Sequence, residues 1–416
     1  MINKSLIKEI KSRRVFDSRG NPTIEVEIFT ENGSSGRAIS PSGASTGLNE
    51  AIEVRDNDKM FKGKDVKKGL KIIDEIIAPK LIGLSCEDQE NIDKVLLDLD
   101  KSNQKINIGG NVTTAISIAS YLCSNNLYKK TAFKYHSFTN DYKIPKPEIQ
   151  IFGGGAHAGN KKSFQDFLIF PLKNYTCEEY FNIVYNVSNS AKKKLVKGNN
   201  FFGYCDEGGL FPHNLDHFQI CEIINEALIE NSLNPGKEIA ISIDVAASNF
   251  YNNKIYQLYD MELDKFELTN IFEILINEYN VKIIEDPYEE KDISSFSIFK
   301  KKFGNKVDII GDDLICTDYN LLNTAINQDA VNGIIIKINQ CGTITETLQT
   351  LKLAKENKIK TILSARSGDT EENFLSHLAV AWATDMIKVG SFSRSERTSK
   401  WNELIRIEEE INKNDG

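Results

Sequence analysis

Four short apolar runs in the second half of the chain each end on a charged residue. Ile239–Ile243 leads into Asp244, Val281–Ile284 into Glu285, Val307–Gly311 into Asp312 and Gly333–Ile336 into Lys337. Runs this short, rich in Ile and Val and spaced by helix-length segments, predict strands buried on both faces in a parallel sheet. Further runs near 148, 166, 361 and 386 bring the count to eight, enough to close an α/β barrel with helices outside. The first two, EIQIF (148–152) and DFLIF (166–170), have no helix between them, so the barrel is expected to be irregular.

In such a barrel the C-terminal end of a parallel strand faces the mouth, where chemistry is done. Three acids and one lysine therefore converge on one point. A single Asp after a strand is more often the N-cap of the next helix. Charged ends on four successive strands are much harder to explain as capping. Three carboxylates repel one another unless a hard cation lies between them, and an oxygen-only ligand set favours Mg²⁺. A lysine beside that cation has its pKa pushed down, which suits a general base.

The chain has 416 residues, room for a barrel plus a smaller domain, and its 40% hydrophobic and 26% charged content is that of a globular protein. A net charge of −8 with dispersed lysines argues against a nucleic-acid surface. Seven scattered cysteines, odd in number and without a CxxC pair, suggest reduced thiols. The opening MINKSLIKEIKSRR lacks the apolar stretch of a signal peptide, and no apolar run approaches membrane-spanning length. The expectation is a cytoplasmic protein with no membrane partner.

Residues 6–30 alternate around the turn Asp17–Pro22, ENG (31–33) reads as a hairpin turn, and GRAIS (36–40) as its return strand. The loop Pro41-Ser42-Gly43-Ala44-Ser45-Thr46-Gly47 is made of small residues, as in a lid that closes over an anion. Helical patterns follow near 66–77, ending before Pro79, and at 87–99 and 111–129. A break without periodicity, FTNDYKIPKP, divides an N-terminal α+β domain (1–137) from the barrel domain (138–416). In the barrel, helices are expected at 177–197 and 215–231. GGGAHAGN (153–160) exposes His157 in a glycine-rich loop, CDEGG (205–209) places Asp206 and Glu207 before two glycines, and SARSGDTEE (364–372) sets Arg366 and Ser367 between a strand and a helix, an arrangement suited to phosphate. Lys388 ends the last strand in MIKVG.

The motifs DSRGNPT, PSGASTG, GGAHAGN, DEGG, IEDP, GDD, IIIKINQCGT, SGDTEE and IKVG, with the tail RIEEE, are colinear from about residue 13 to 410. Together they resemble enolase, the phosphopyruvate hydratase family. That resemblance implies an irregular ββαα(βα)₆ TIM-type barrel capped by the N-terminal domain. It implies reversible dehydration of 2-phosphoglycerate to phosphoenolpyruvate, with two Mg²⁺ per active site, the second arriving with substrate. By the same resemblance Asp244, Glu285 and Asp312 match ligands of the first Mg²⁺, and Ser45 a ligand of the second. Lys337 matches the base at C2, and Glu207 the acid at the C3 hydroxyl. Arg366 and Ser367 match the phosphate site, Lys388 a contact to the substrate carboxylate, and His157 and Gln165 further substrate positions. A homodimer or larger homo-oligomer is implied as well.

The chain departs from the family at two site positions. Ala365 stands where enolases commonly carry His, and Asp166 where they commonly carry Glu. Asn49, Cys205 and Asn249 are milder changes, at positions usually His, Gly and Glu. Losing one methylene at Asp166 retracts its carboxylate by roughly 1.5 Å, enough to break a direct hydrogen bond. Two readings follow: an enolase that tolerates both changes, or a homologue acting on another phosphorylated or phosphonate carboxylic acid.

Overall fold

A computed structural model describes residues 5–159 and 162–414. The first four residues of the N-terminal segment, and Asn160 at the end of GGGAHAGN, lie outside the described residues. The chain opens with an antiparallel meander, β1 (Ile7–Phe16), β2 (Pro22–Thr30) and β3 (Ser35–Ile39), with β2 in the centre. Ile24, Val26 and Ile28 alternate along β2 and are fully buried, and the helix Gly110–Asn126 crosses this sheet. The approach is close: a Cβ on Gly36 of β3 would lie 2.2 Å from the backbone N of Cys123.

The first helical pattern does not end before Pro79. The helical path continues to Leu81, because a π-helical turn, Ile73–Ile77, intervenes. The wider turn accommodates a ring that would clash with an α-helical carbonyl and that lacks the N–H to bond it.

The loop before Gly109 is organised by Asp100, which is buried and accepts from the backbone N–H groups of Ser102, Asn107 and Ile108 at 3.0, 2.6 and 3.0 Å. Burial opposes the charge, but the Ser102 hydroxyl, which donates at 2.5 Å, and these backbone donors win and hold the carboxyl down at about 2, against an ordinary 3.8. A depressed pKa contributes stability that is complete above the ordinary value and lost as pH falls through the folded one. Thermal unfolding should therefore show an acid destabilisation between about pH 4 and pH 2 that is missing in Asp100→Ala. At neutral pH that variant should lose about 2 kcal/mol, because buried N–H groups are left without an acceptor.

The second part closes a barrel. Its strands are β4 (Lys146–Gly153) and β5 (Asp166–Pro171); then, after a hairpin of β6 (Phe201–Tyr204) and β7 (Leu210–Pro212), β8 (Ile239–Asp244). A small excursion, β9 (Tyr251–Asn252), β10 (Ile255–Leu258) and β11 (Met261–Leu263), precedes β12 (Val281–Glu285), β13 (Asp308–Gly311), β14 (Gly333–Ile336), β15 (Lys360–Ser364) and β16 (Met386–Ser391). β16 pairs with β4 and completes the ring. β5 is antiparallel to both neighbours, β4 and β8. Its first residue, Asp166, therefore faces the mouth, opposite Asp244 in the register. The helices Cys177–Lys197 and His217–Glu230 fall within two residues of their expected bounds.

Inside the barrel, Phe170, Ala240, Ile283, Ile310, Ile335, Ile362 and Met386 form a separate apolar cluster. Each lies at least one residue below the mouth end of its strand, so the polar residues sit above an apolar plug. Asp216, Asp264, Asp292 and Asp318 cap barrel helices, each accepting from the first turn of its own helix, and Thr176 and Thr343 cap two more. Capping therefore does not account for the strand-end acids, whose side chains meet other partners at the mouth. Among the described residues, no helix is long and apolar enough to cross a membrane.

Candidate active site at the barrel mouth

β8 and β12 are parallel neighbours, and their last residues, Asp244 and Glu285, lie side by side in register. Lys388 reaches across from β16 and bonds both, at 2.9 Å to Asp244 and 2.7 Å to Glu285. Lys337, one residue past β14, is paired with Asp312, one residue past β13, and Gln340 donates to the other Asp312 oxygen at 2.8 Å. The four predicted strand-end charges therefore meet, with Lys388 as a fifth.

Electrostatics follow from this crowding. Burial raises the Glu285 carboxyl well above its ordinary range, and Asp244 beside it adds to the effect. Burial works against the Asp312 charge, but Lys337 holds its pKa down. Burial works against the Lys388 ammonium too, but Asp244 and Glu285 raise its pKa strongly. Lys337 is likewise raised: burial is outweighed by Asp312. The downward push expected for Lys337 is thus not found where Asp312 lies directly against it.

A narrow cavity open to solvent lies above these groups. Lys337, Lys388 and Asp244 line it from the strands, Arg366 and Ser367 from the loop after β15, and Ser45 from the small-residue loop. His157, Gln165, Asp166 and Glu207 line its other walls, and Ala365 completes it beside Arg366. Ten of the twelve predicted site residues thus face one space. Glu285 and Asp312 are buried behind the two lysines.

The small-residue loop is tied to the barrel. Ser42 and Gly368 exchange backbone hydrogen bonds at 2.9 Å, Ser45 Oγ donates to Gln165 at 3.2 Å, and Gln165 donates to Asp244 at 3.1 Å. The Arg366 guanidinium forks onto Glu50 at 3.0 and 3.2 Å and also reaches Asn339 at 2.8 Å and the Ser45 carbonyl at 3.3 Å. Gly43 sits against it: a Cβ there would lie 2.0 Å from Arg366 Nη2.

On the opposite side of the Gln165 position, His157 Nδ1 lies 3.0 Å from Asp166 Oδ1, and its Nε2 lies 3.8 Å from Glu207 Oε1. Burial disfavours a charged imidazole, but Asp166 and Glu207 outweigh it and raise its pKa to about 9. The Glu207 pKa is raised, chiefly by burial. The Asp166 pKa is lowered, because His157 outweighs burial. The Asp166 carboxylate thus meets His157 within the wall of the cavity. Of the milder departures, Asn49 and Asn249 are exposed, whereas the Cys205 thiol is buried and bonds Gln150 at 3.4 Å.

Several side chains at the site were not picked out by sequence. Asp286 accepts from the backbone N–H groups of Asp312 and Asp313 at 3.0 and 2.6 Å and so shapes the turn that presents Asp312. Its signal was its place in IEDP. Glu50, three residues after Gly47, and Asn339 and Gln340, just after Lys337, were legible only as neighbours of motifs.

The donor chemistry of the strand-end acids suits a divalent cation. Asp244, Glu285 and Asp312 offer only carboxylate oxygens, and Glu285 Oε1 is buried without a hydrogen-bond partner. Among the described residues two groups bring ligand atoms within 4.8 Å of one another, and neither is this set: His157, Asp166 and Glu207, and Asp286, Asp312 and Asp313. The second shares Asp312, but both Asp286 oxygens are already engaged by backbone N–H groups.

Residues 7–135 match the family described as "Enolase, N-terminal domain", and residues 141–415 match "Enolase, C-terminal TIM barrel domain". A curated relative, Enolase 1 of Desulfitobacterium hafniense (strain Y51), is 39% identical over 415 residues, covering 97% of this chain and 94% of the relative.

Proposed function

We propose, because the chain belongs to the enolase family, that it catalyses the reversible dehydration of 2-phospho-D-glycerate to phosphoenolpyruvate. Family membership makes it a hydro-lyase acting on a phosphoglycerate-like acid. The observation that carries the finer reading is one cavity lined by the largely buried Lys337, the buried carboxyl of Glu207 and the Arg366–Ser367 guanidinium–hydroxyl pair.

In this reading Arg366 and Ser367 hold the phosphate, and Lys388 faces the carboxylate. Gln165 and His157 fix the substrate against the loop that carries Ser45. Lys337 Nζ takes the proton from C2. The electron pair left behind forms the C2–C3 double bond, and the C3–O bond breaks. Glu207, with Asp166 and His157 beside it, gives its proton to the departing hydroxide, which leaves as water. Asp244, Glu285 and Asp312 would hold one Mg²⁺, and Ser45 a second that comes with substrate. Bound Mg²⁺ supplies Lewis-acid stabilisation of the enediolate charge, as is general in the enolase superfamily. The same reading takes the protein as a cytoplasmic homodimer or larger homo-oligomer.

A second reading, an acid other than 2-phosphoglycerate, is favoured by Ala365 and Asp166. The test is turnover of 2-phosphoglycerate with Mg²⁺, followed by absorbance of the enol product. The expected rate is roughly 1–10³ per second. Negligible turnover that is rescued in Ala365→His/Asp166→Glu would transfer the site to another phosphorylated or phosphonate acid.

A further inference from the structure

Gln150 lies in β4 and is fully buried. Its amide joins two parts of the site. Nε2 donates to Asp166 Oδ1, while Oε1 accepts from the Gly209 backbone N–H at 2.9 Å and from the Cys205 thiol at 3.4 Å. Cys205 and Gly209 flank Glu207 in the chain. Asp166 Oδ1 also meets His157 Nδ1 at 3.0 Å, and His157 Nε2 lies 3.8 Å from Glu207. The contacts close a ring from Glu207 through His157, Asp166 and Gln150 and back to the loop that carries Glu207.

We infer that Gln150 is a positioning residue for Glu207, fixing Asp166 and the 205–209 loop at the same time. This inference rests on the reading of Glu207 as the acid at C3. The amide has one workable orientation, since an ionised Asp166 needs a donor and the Gly209 N–H needs an acceptor. The surroundings are shaped around it: a Cβ on Gly209 would lie 2.3 Å from Gln150 Oε1, and one on Gly153 would lie 3.1 Å from Gln150 Nε2. Gln150 also explains how a carboxylate shorter by one methylene stays anchored. A longer side chain from the neighbouring strand comes to it, so the lengths at 150 and 166 are complementary.

The experiment uses the full-length protein with Mg²⁺ and 2-phosphoglycerate and compares two rates, deuterium exchange at C2 and net dehydration. In Gln150→Leu, which keeps an apolar side chain of similar size in the barrel, dehydration kcat should fall about 10²-fold, the effect of a misplaced group. KM and C2 exchange should each stay within about threefold, because Lys337 is not in the ring. Gln150→Asn alone should also lose dehydration. Gln150→Asn/Asp166→Glu, which moves one methylene from one side chain to the other, should restore it to within about fivefold of wild type. Equal loss of both rates, no loss, or failure of the paired exchange to rescue would overturn the inference. A wild-type protein that neither exchanges C2 nor dehydrates this substrate would instead overturn the proposed reaction, and this inference with it.

Discussion

Lys337→Ala is expected to abolish exchange of the C2 proton of 2-phosphoglycerate, a loss of roughly 10⁴-fold or more. Lys337 is the cavity-lining amine on the strand that follows Asp312, and its neighbour Lys388 is held by two carboxylates at 2.9 and 2.7 Å. Lys388 is thereby kept charged and cannot substitute as a base. Lys337 has one carboxylate partner, Asp312, so a competing cation at that carboxylate would release it. Truncation also leaves a buried Asp312 with Gln340 as its remaining side-chain donor, which should cost about 3 kcal/mol of stability. Activity alone would therefore confuse lost chemistry with lost folding. Exchange should be measured beside thermal unfolding and Mn²⁺ binding, since the three carboxylates remain. A folded, metal-binding Lys337→Ala protein that exchanges C2 at the wild-type rate would remove Lys337 from the base position.

The strand-end charges were legible because barrel geometry ties one end of every parallel strand to one place. Asp244, Glu285, Asp312 and Lys337 could be brought together before any side chain was placed. Strand direction was less accessible: short apolar runs look alike in either sense, so the antiparallel course of β5 was not expected. The polar residues of EIQIF were silent for a related reason. Alternation marks one dry and one wet face, and it reads the wet face as solvent. In this strand Glu148 and Gln150 are fully buried. The capping ambiguity was real in sequence and disappears in the structure, where other residues, Asp216, Asp264, Asp292 and Asp318 among them, cap the barrel helices. The reach of Lys388 to Asp244 and Glu285, and of Arg366 to Glu50, depends on long side chains crossing between elements, which no local pattern encodes.

Asp244→Asn should weaken divalent-metal binding by about 10²-fold or more, a larger effect than disturbing a group behind the ligands. The substitution preserves size and keeps an oxygen for Gln165 to bond, while Lys388 retains Glu285, so the fold should persist. Only the charge and one anionic ligand are lost. Asp313→Asn is the informative counterpart, because Asp313 belongs to the acidic group that shares Asp312 without Asp244 or Glu285. Asp313 lies outside the Asp244, Glu285 and Asp312 set, so neutralising it should leave metal affinity nearly unchanged if that set holds the ion. Mn²⁺ titration without substrate, read by the loss of its free-ion magnetic resonance signal, separates the two positions independently of turnover. A large loss in Asp244→Asn and a small one in Asp313→Asn places the ion against β8 and β12. The reverse pattern would move it to the turn between β13 and the following helix. Lys337 would then face the ion through Asp312 alone, and Asp244 and Glu285 would serve only to hold Lys388.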